Sequence, residues 1–546
     1  MRHRSTVVSV LAALSVLALA CQPPAPSRNP GASAGAPAGP AAAPPAAAPP
    51  AAGAPASQPA AAPAASSGSP TRVTIGVTET IESMNPYADS IALGYGIWCE
   101  VLGCLVSLDP KTNDYLPSLA QSWEVENPTT WVFHLRPDAR WHDGSPFTAA
   151  DVVHSIKRIM TDKDSKQKQN LSPVASAEAT DEHTVKIITK EPTGPLLSYF
   201  ANLLIITSKA QYDKYGPDEI DRQPPLGTGP YMFKELVPNQ RMVIVKNPDW
   251  WGGPVLGPDE VVYRIMRETE VRVTALLNGE IQIAEFVPPH MADRVKNSPN
   301  ADLVATDSVE PMFLAMMPKS KPWDNKLVRQ AACYALDRDA IIQNVMQGQA
   351  RRLDGPIGPA TYGYNSNLQP RYTYDPAKAK QLLAQAGYPN GVDVDLYTPV
   401  GRYVQDKQSA EAMAQMLNQV GIRARLQTPE WPTMWADVQA GRTAFYYMGR
   451  GGVLDPGLPL SQYFETGVTP RIGYSNPQLD ALFQKERATF DPAERKKVLS
   501  DVMSLITEEA PACFLWTINM LWGIAKNVQY EPHPDTRIFA NEIRVR

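Results

Sequence analysis

Residues 117–160 read PSLAQSWEVENPTTWVFHLRPDARWHDGSPFTAADVVHSIKRIM. Trp131, Phe133 and Leu135 alternate with Val132, His134 and Arg136, the period of a half-buried strand. Asp143-Gly144-Ser145-Pro146 is turn chemistry, because Gly tolerates positive φ and Pro fixes its own. Thr148 stands three residues before Asp151, a weak capping box that predicts a helix start. Val152, Val153, Ile156, Ile159 and Met160 then recur at helical spacing and give that helix one apolar face. The stretch reads as strand, tight turn and capped helix.

Around it lies a chain of 546 residues, enough for about two to four domains at ~150 residues each. The formal net charge is −5 and no basic stripe carries interleaved aromatics, so nucleic acid is not an expected partner. After the first twenty residues no apolar run is long enough to span a bilayer. The beginning reads as a targeting signal: Arg2 and Arg4 are basic, and residues 7–20 are apolar. Ala18-Leu19-Ala20 is a site for ordinary signal peptidase, whereas the same residues before Cys21 resemble an imperfect lipobox. Residues 22–70 are almost entirely Ala, Pro, Gly and Ser, too poor in large apolar side chains to offset chain entropy. Extended at ~3.1 Å per residue, they would reach on the order of 150 Å. A tether is useful only when something is anchored, so the expectation is a lipid on Cys21 holding the protein to a membrane.

Beyond Cys21, the chain has Cys99, Cys104, Cys333 and Cys513. Three full pairings are open to them, and sequence cannot choose. The favoured expectation is that several are buried free thiols, packing as small hydrophobes. No C-x-x-C or Cys–His spacing suggests zinc. His134, His142 and His154 are close in sequence, yet they fall on an expected strand, turn and helix. Each therefore reads as a satisfied structural histidine rather than a metal ligand.

Further along, Gly227-Thr228-Gly229-Pro230-Tyr231 allows a tight backbone path into a strand, and Asn247 to Gly252 reads as a turn. Helical spacing over residues 270–277 ends at Asn278-Gly279. Residues 312–317 and 511–518 are apolar runs, taken as two crossings between lobes. Residues 392–397 read as a strand, 407–420 as a helix ended by Gly421, and 422–426 as the next strand. That order predicts a parallel α/β lobe.

Leu119 to Val125, Trp131 to Gly144 and Phe147 to Val152, with the Gly-Thr-Gly-Pro-Tyr segment and the helix pair within residues 323–346, together resemble the family 5 solute-binding proteins. These are dipeptide- and oligopeptide-binding receptors of ABC importers. The resemblance covers roughly residue 72 to the C-terminus. It implies an α/β, bilobal periplasmic-binding-protein (venus-flytrap) fold with an extra domain inserted in the first lobe. The implied division is 1–21 for the lipoprotein signal peptide and lipobox and 22–70 for the disordered tether. Lobe I takes 71–108, 226–311 and 516–546, the extra domain 109–225, and lobe II 312–515. The implied protein is a monomeric, extracytoplasmic lipoprotein, in the periplasmic space or on the outer face of the cell membrane. It captures a peptide or peptide-like solute and delivers it to ABC permease subunits, with no cofactor, metal or catalytic step. Receptors for nickel, an opine or an oligosaccharide are the alternatives of the same kind. A secreted hydrolase is the alternative of another class, although no H-E-x-x-H or nucleotide loop occurs and G-x-S-x-G is met only as Gly31 to Gly35 within the Ala/Pro-rich segment.

Candidate ligand-binding residues fall in the implied second lobe. Arg402 and Tyr403 follow a predicted strand, at the end where α/β sheets bind ligands. Trp431 and Trp435 lie four apart on one face. Tyr447 and Arg450 belong to an aromatic strand running into Gly451-Gly452, and Asp455 precedes Pro456. Rings supply contact area and a guanidinium can fork a carboxylate. Peptide receptors of this family resemble one another in an Asp three residues before the acidic-Pro pair, which holds a free amine. Here that position is Gly452, or Val453 with a one-residue gap. The expectation is weak binding of ordinary short peptides and preference for an acceptor group facing Arg450, with Asp455 a turn residue.

Overall fold

The computed structural model describes residues 70–546, apart from residues 80, 82, 89–90 and 451–453. Cys21 and residues 22–69 of the expected tether lie outside the described residues, as do Gly452 and Val453.

The opening stretch folds as its pattern predicts. Ala120–Asn127 and Thr130–Leu135 pair antiparallel, and Thr184–Thr189 and Val174–Asp181 complete a four-stranded sheet. Gly144 takes φ +84° in the turn. The helix Ala149–Thr161 follows, with the Asp151 carboxylate accepting the Thr148 N–H at 3.0 Å. The same carboxylate accepts the Lys209 N–H at 2.9 Å, so the cap also ties down a distant segment.

The glycines of Gly-Thr-Gly are there for close approach. A Cβ on Gly227 would sit 1.8 Å from the Val101 carbonyl oxygen, and one on Gly229 would sit 2.0 Å from that of Glu100. Their absence lets the segment lie against the end of the helix Ala92–Val101, where Gly229 N–H donates to the Val101 carbonyl at 3.1 Å. His142 N–H in turn donates to the Gly227 carbonyl at 2.7 Å, and Trp251 Nε1 donates to the Thr228 carbonyl at 2.7 Å. Three separated motifs therefore lock one another by hydrogen bonds to backbone carbonyls.

An eleven-stranded sheet runs through the molecule. In one half, Arg72–Val77 lies between the parallel strands Glu260–Ile265 and Ile283–Ala284. In the other, Val392–Tyr397 and Ile422–Gln427 are parallel, as the strand–helix–strand order around Asp406–Val420 predicts. Two long antiparallel strands, Ala301–Met316 and Ala512–Ala525, join the halves. Each half has its own buried clusters, centred on residues such as Tyr231 and Trp98 in the first and Leu396 and Trp323 in the second. The fold is bilobal α/β.

The long strands break register between Asp307 and Pro311, where Ser308 Oγ accepts the Glu310 N–H at 2.9 Å. The apolar run from Met312 onward lies past that break, already paired with Phe445–Gly449. Apolar pattern marks the buried strand, and the register break falls on the polar residues before it.

The free-thiol expectation is corrected. Cys99 pairs with Cys104, and Cys333 pairs with Cys513, with Cα–Cα distances of 5.0 and 5.4 Å. Cys333 sits on the buried face of the helix Lys326–Tyr334, which packs on the Ala512–Ala525 strand. Packing alone therefore brings together thiols 180 residues apart. Closing so long a loop restricts the unfolded chain far more than closing a five-residue one. Replacing Cys333 and Cys513 together by Ala should lower unfolding free energy by roughly 2–5 kcal/mol. The same change at Cys99 and Cys104 should cost less. Urea unfolding of ligand-free protein checks the order, and equal losses would contradict it.

Candidate functional site

A cavity of about 310 Å³ opens between the two lobes. Tyr115, Tyr199, Leu203 and Arg537 reach it from the first lobe, and Trp435, Arg450, Tyr463 and Arg471 from the second. Further apolar wall comes from Leu108, Leu454 and Leu458. Rings and aliphatic side chains thus enclose a few charged groups, the composition of a small-molecule site.

Three of the seven sequence-predicted ligand residues line this cavity: Trp435, Arg450 and Asp455. Arg450 is 5% exposed, and its Nη1 is buried with no hydrogen-bond partner among the described residues. Burial pulls the guanidinium down to about 10, opposed by Tyr463 and Glu310, and it stays charged at neutral pH. Its backbone N–H donates to the Pro311 carbonyl at 3.1 Å, which fixes it beside the register break of the long strands.

Asp455 is otherwise engaged. Arg495 forks it with contacts of 2.6 and 2.7 Å, and its Oδ1 also accepts the Gly457 N–H at 3.0 Å. Arg495 reaches Glu486 as well, at 2.7 Å through Nε. Asp455 is the one acidic residue on the cavity wall among the described residues, and both its oxygens are taken. Its bond from Gly457 lies within the turn at Pro456.

Arg402, Tyr403, Trp431 and Tyr447 are not on the cavity wall. The first three form a stack behind it. The Arg402 guanidinium lies 5.3 Å from the ring centres of both Tyr403 and Trp431. Trp431 stacks on Trp435 at 5.5 Å, with 16° between the ring planes. The Arg402–Tyr403 turn is shaped by Asp406, whose carboxylate accepts the N–H groups of Gly401, Arg402 and Tyr403 at 3.1, 2.9 and 3.0 Å. Tyr447 is fully buried in the second-lobe core, 6.1 Å ring to ring from Trp516. Its strand position turns the side chain into packing rather than toward the cleft.

The stack continues into residues that the sequence reading did not single out. Arg471 lies over Trp435 at 5.0 Å and over Tyr463 at 5.1 Å. Neither Arg450 nor Arg471 has an ion pair with a carboxylate among the described residues. Arg537, by contrast, pairs with Asp535 at 2.8 Å. Tyr463 and Arg471 sit on a helix and a loop with no periodic or motif signal, so only the fold reveals them.

The histidines weighed as metal ligands each have a local setting. His142 Nε2 lies 3.1 Å from the Gly229 carbonyl oxygen, His154 packs on Tyr212 at 4.7 Å, and His134 lies 3.7 Å from Glu124. Burial pulls the His154 imidazole down to about 4. No group of three or more His, Cys, Asp or Glu among the described residues is arranged to hold a metal ion.

The lobes also touch away from the cavity. Gly194 N–H donates to the Arg487 carbonyl at 2.6 Å, and Trp131 packs on Phe490 at 6.1 Å. A Cβ on Gly194 would lie 2.2 Å from the Thr489 carbonyl oxygen, so this contact requires glycine.

Known proteins share this architecture. The chain is 29% identical over 477 residues to the glutathione-binding protein GsiB of Pectobacterium atrosepticum, covering 85% of this chain and 92% of the relative. It is 29% identical over 460 residues to the dipeptide-binding protein of Escherichia coli K12, covering 78% and 85%. Among solved structures, DppA from Helicobacter pylori in complex with the peptide STSA matches with a TM-score of 0.72 at 25% identity, covering 87% of this chain and 98% of that one. The profile of the bacterial extracellular solute-binding proteins, family 5 Middle, matches residues 114–471. The chain belongs to the family 5 bacterial extracellular solute-binding proteins.

Proposed function

We propose that this protein is the receptor of an ABC importer, held outside the cytoplasm by a lipid on Cys21, and that it hands a peptide-like solute to membrane permease subunits. The observation that carries the reading is the interlobe cavity walled by rings and three arginines, in a two-lobed chain joined by only two strands. Enclosing a solute between lobes supplies affinity, and the closed state is what a permease can recognise. No step of bond chemistry is assigned. Relatives named for glutathione and dipeptides support the peptide-like class. The unpaired guanidiniums disfavour a bare metal cation, which they would repel.

Arg402, Tyr403, Trp431 and Tyr447 are assigned supporting roles in this reading, with Trp435 and Arg450 against the solute. Among the described residues of the cavity wall a free α-amine finds no unengaged carboxylate, since Asp455 is forked by Arg495, and in sequence Gly452 stands at the position of the usual clamp. A buried ammonium without a partner costs several kcal/mol, on the order of the desolvation penalty of one ion.

Two outcomes follow. Calorimetry with a mixed tripeptide pool should show weak binding, with no advantage over the same pool N-acetylated. Micromolar binding of the free-amine pool that disappears on acetylation would show that an amine clamp exists. Closure is tested by small-angle scattering. A bound solute should reduce the radius of gyration of the wild-type protein. Gly194→Ala should blunt that reduction and weaken solute binding while leaving each lobe folded, because its Cβ collides with the Thr489 backbone. An unchanged radius in the wild type at saturation would indicate a preformed, non-closing site.

A further inference from the structure

Among the buried arginines, most are satisfied by named acceptors. Arg272 donates to the carbonyls of Glu285 and Phe286 at 2.6 and 3.3 Å. Arg329 donates to those of Trp323 and Glu509 at 2.8 and 2.7 Å. Arg495 is held by Asp455 and Glu486. Arg450 differs: it is as buried as these, it lines a cavity, and its Nη1 finds nothing to donate to among the described residues. An arginine cannot shed its charge at neutral pH, so leaving a buried guanidinium N–H unpaired is costly unless a ligand completes it.

A second cation stands beside it. Arg471 lines the same cavity and lies over the rings of Trp435 and Tyr463 without a carboxylate partner. Tyr463 is 4% exposed and is the residue shared between them: its hydroxyl feels the charge of both arginines. Stacking on two rings and a hydrogen bond with the Tyr463 hydroxyl hold the Arg471 plane in place on the cavity wall, and a planar guanidinium so held can fork an oxyanion. The Glu310 carboxylate acts electrostatically on Arg450 and on Arg402, and no ion pair joins it to Arg450 among the described residues. Away from this corner Leu108, Leu203, Leu454 and Leu458 give the wall an apolar strip, with Asn113, Asn170, Ser198 and Gln462 as polar groups beside it.

Resting on the receptor reading above, we propose that the solute carries an acidic group, a carboxylate in the first instance, seated between Arg450 and Arg471 around Tyr463. Its body is an apolar or aryl chain along the Leu108–Leu203–Leu458 wall. The class is an acidic amphiphile with a blocked or absent amine, such as an N-acyl amino acid or an N-blocked short peptide. Arg450 and Arg471 are specificity-determining residues for the acid, and Tyr463 positions them.

The full chain should be titrated with matched acid and amide pairs in two series. One is an N-acetyl tripeptide pool with free or amidated C-termini. The other is a set of simple aryl- and alkyl-carboxylates with their primary amides. Calorimetry reads affinity, and Trp435 sits where fluorescence can report occupancy. In both series the acid should bind about 10- to 100-fold more tightly than its amide, the loss expected when a charge-assisted hydrogen bond is removed. Arg450→Gln and Arg471→Gln should each erase most of that ratio. Arg450→Lys should keep part of it, since it retains the charge and loses the fork. Thermal unfolding of each variant, with Tyr463→Phe beside them, separates lost folding from lost recognition. Equal binding of acids and amides by the wild type overturns the acidic subsite, as does an acid preference that survives Arg450→Gln in folded protein. Acid-selective binding confined to the non-peptide series supports the subsite and overturns the peptide-like reading. Failure of both series overturns both.

Discussion

Two hydrogen-bonded strands carry the whole molecule across its waist. Ala301–Met316 and Ala512–Ala525 pair antiparallel from one lobe to the other, and the sheet of each lobe is built outward from them. A continuous ladder of this kind is stiff in its regular parts. It yields where register fails, between Asp307 and Pro311. Pro311 has no N–H to give the ladder, and Ser308 bonds the Glu310 backbone locally instead of leaving it to the partner strand. A break of this sort bends the strand and re-aims its side chains. Glu310 stands within this break, and its carboxyl is pushed up by burial and held down by Arg402 and Arg450. The register break and the charged corner of the cavity are joined by the bond from the Arg450 N–H to the Pro311 carbonyl.

The fold was legible in the sequence wherever the cause was local. Trp131, Phe133 and Leu135 forecast their strand, Asp151 its helix start, and Gly421 a helix end with φ +101°. The Gly-Thr-Gly landmark was recognisable as a tight path, but its reason was not. The glycines answer to the carbonyls of Glu100 and Val101, over a hundred residues earlier. The cysteines show the same limit. Nothing near Cys333 announces Cys513, because their pairing is set by a helix packing on a strand.

The candidate site was half legible for a related reason. Reading the ends of predicted strands found Arg450 and Asp455, and helical spacing found Trp435. The same rule selected Arg402, Tyr403 and Trp431, which stack in line behind Trp435. It also selected Tyr447, where alternation along Phe445–Gly449 sends the ring into the core. Arg471, Tyr463 and the first-lobe wall of Tyr115 and Tyr199 come from segments whose sequences say only loop or helix. A cleft between lobes is assembled from separate pieces of chain, and no window of sequence contains it.

What distinguishes this cleft is the distribution of its charges rather than their number. Asp455, Glu486 and Arg495 form a closed set in which every carboxylate faces a guanidinium. Such a set fixes the turn at Pro456 and offers little to a solute, since breaking a buried pair costs about 3–5 kcal/mol. Asp535 closes a similar pair with Arg537 on the opposite lobe. Once those are set aside, the remaining charges on the cavity wall are Arg450 and Arg471, both cationic, with Arg471 lying over the rings of Trp435 and Tyr463. Arg450 is tied by its own backbone to Pro311, the first residue past the register break. An anion that completes the Arg450 guanidinium is thus one backbone hydrogen bond from the register break of the two strands that join the lobes.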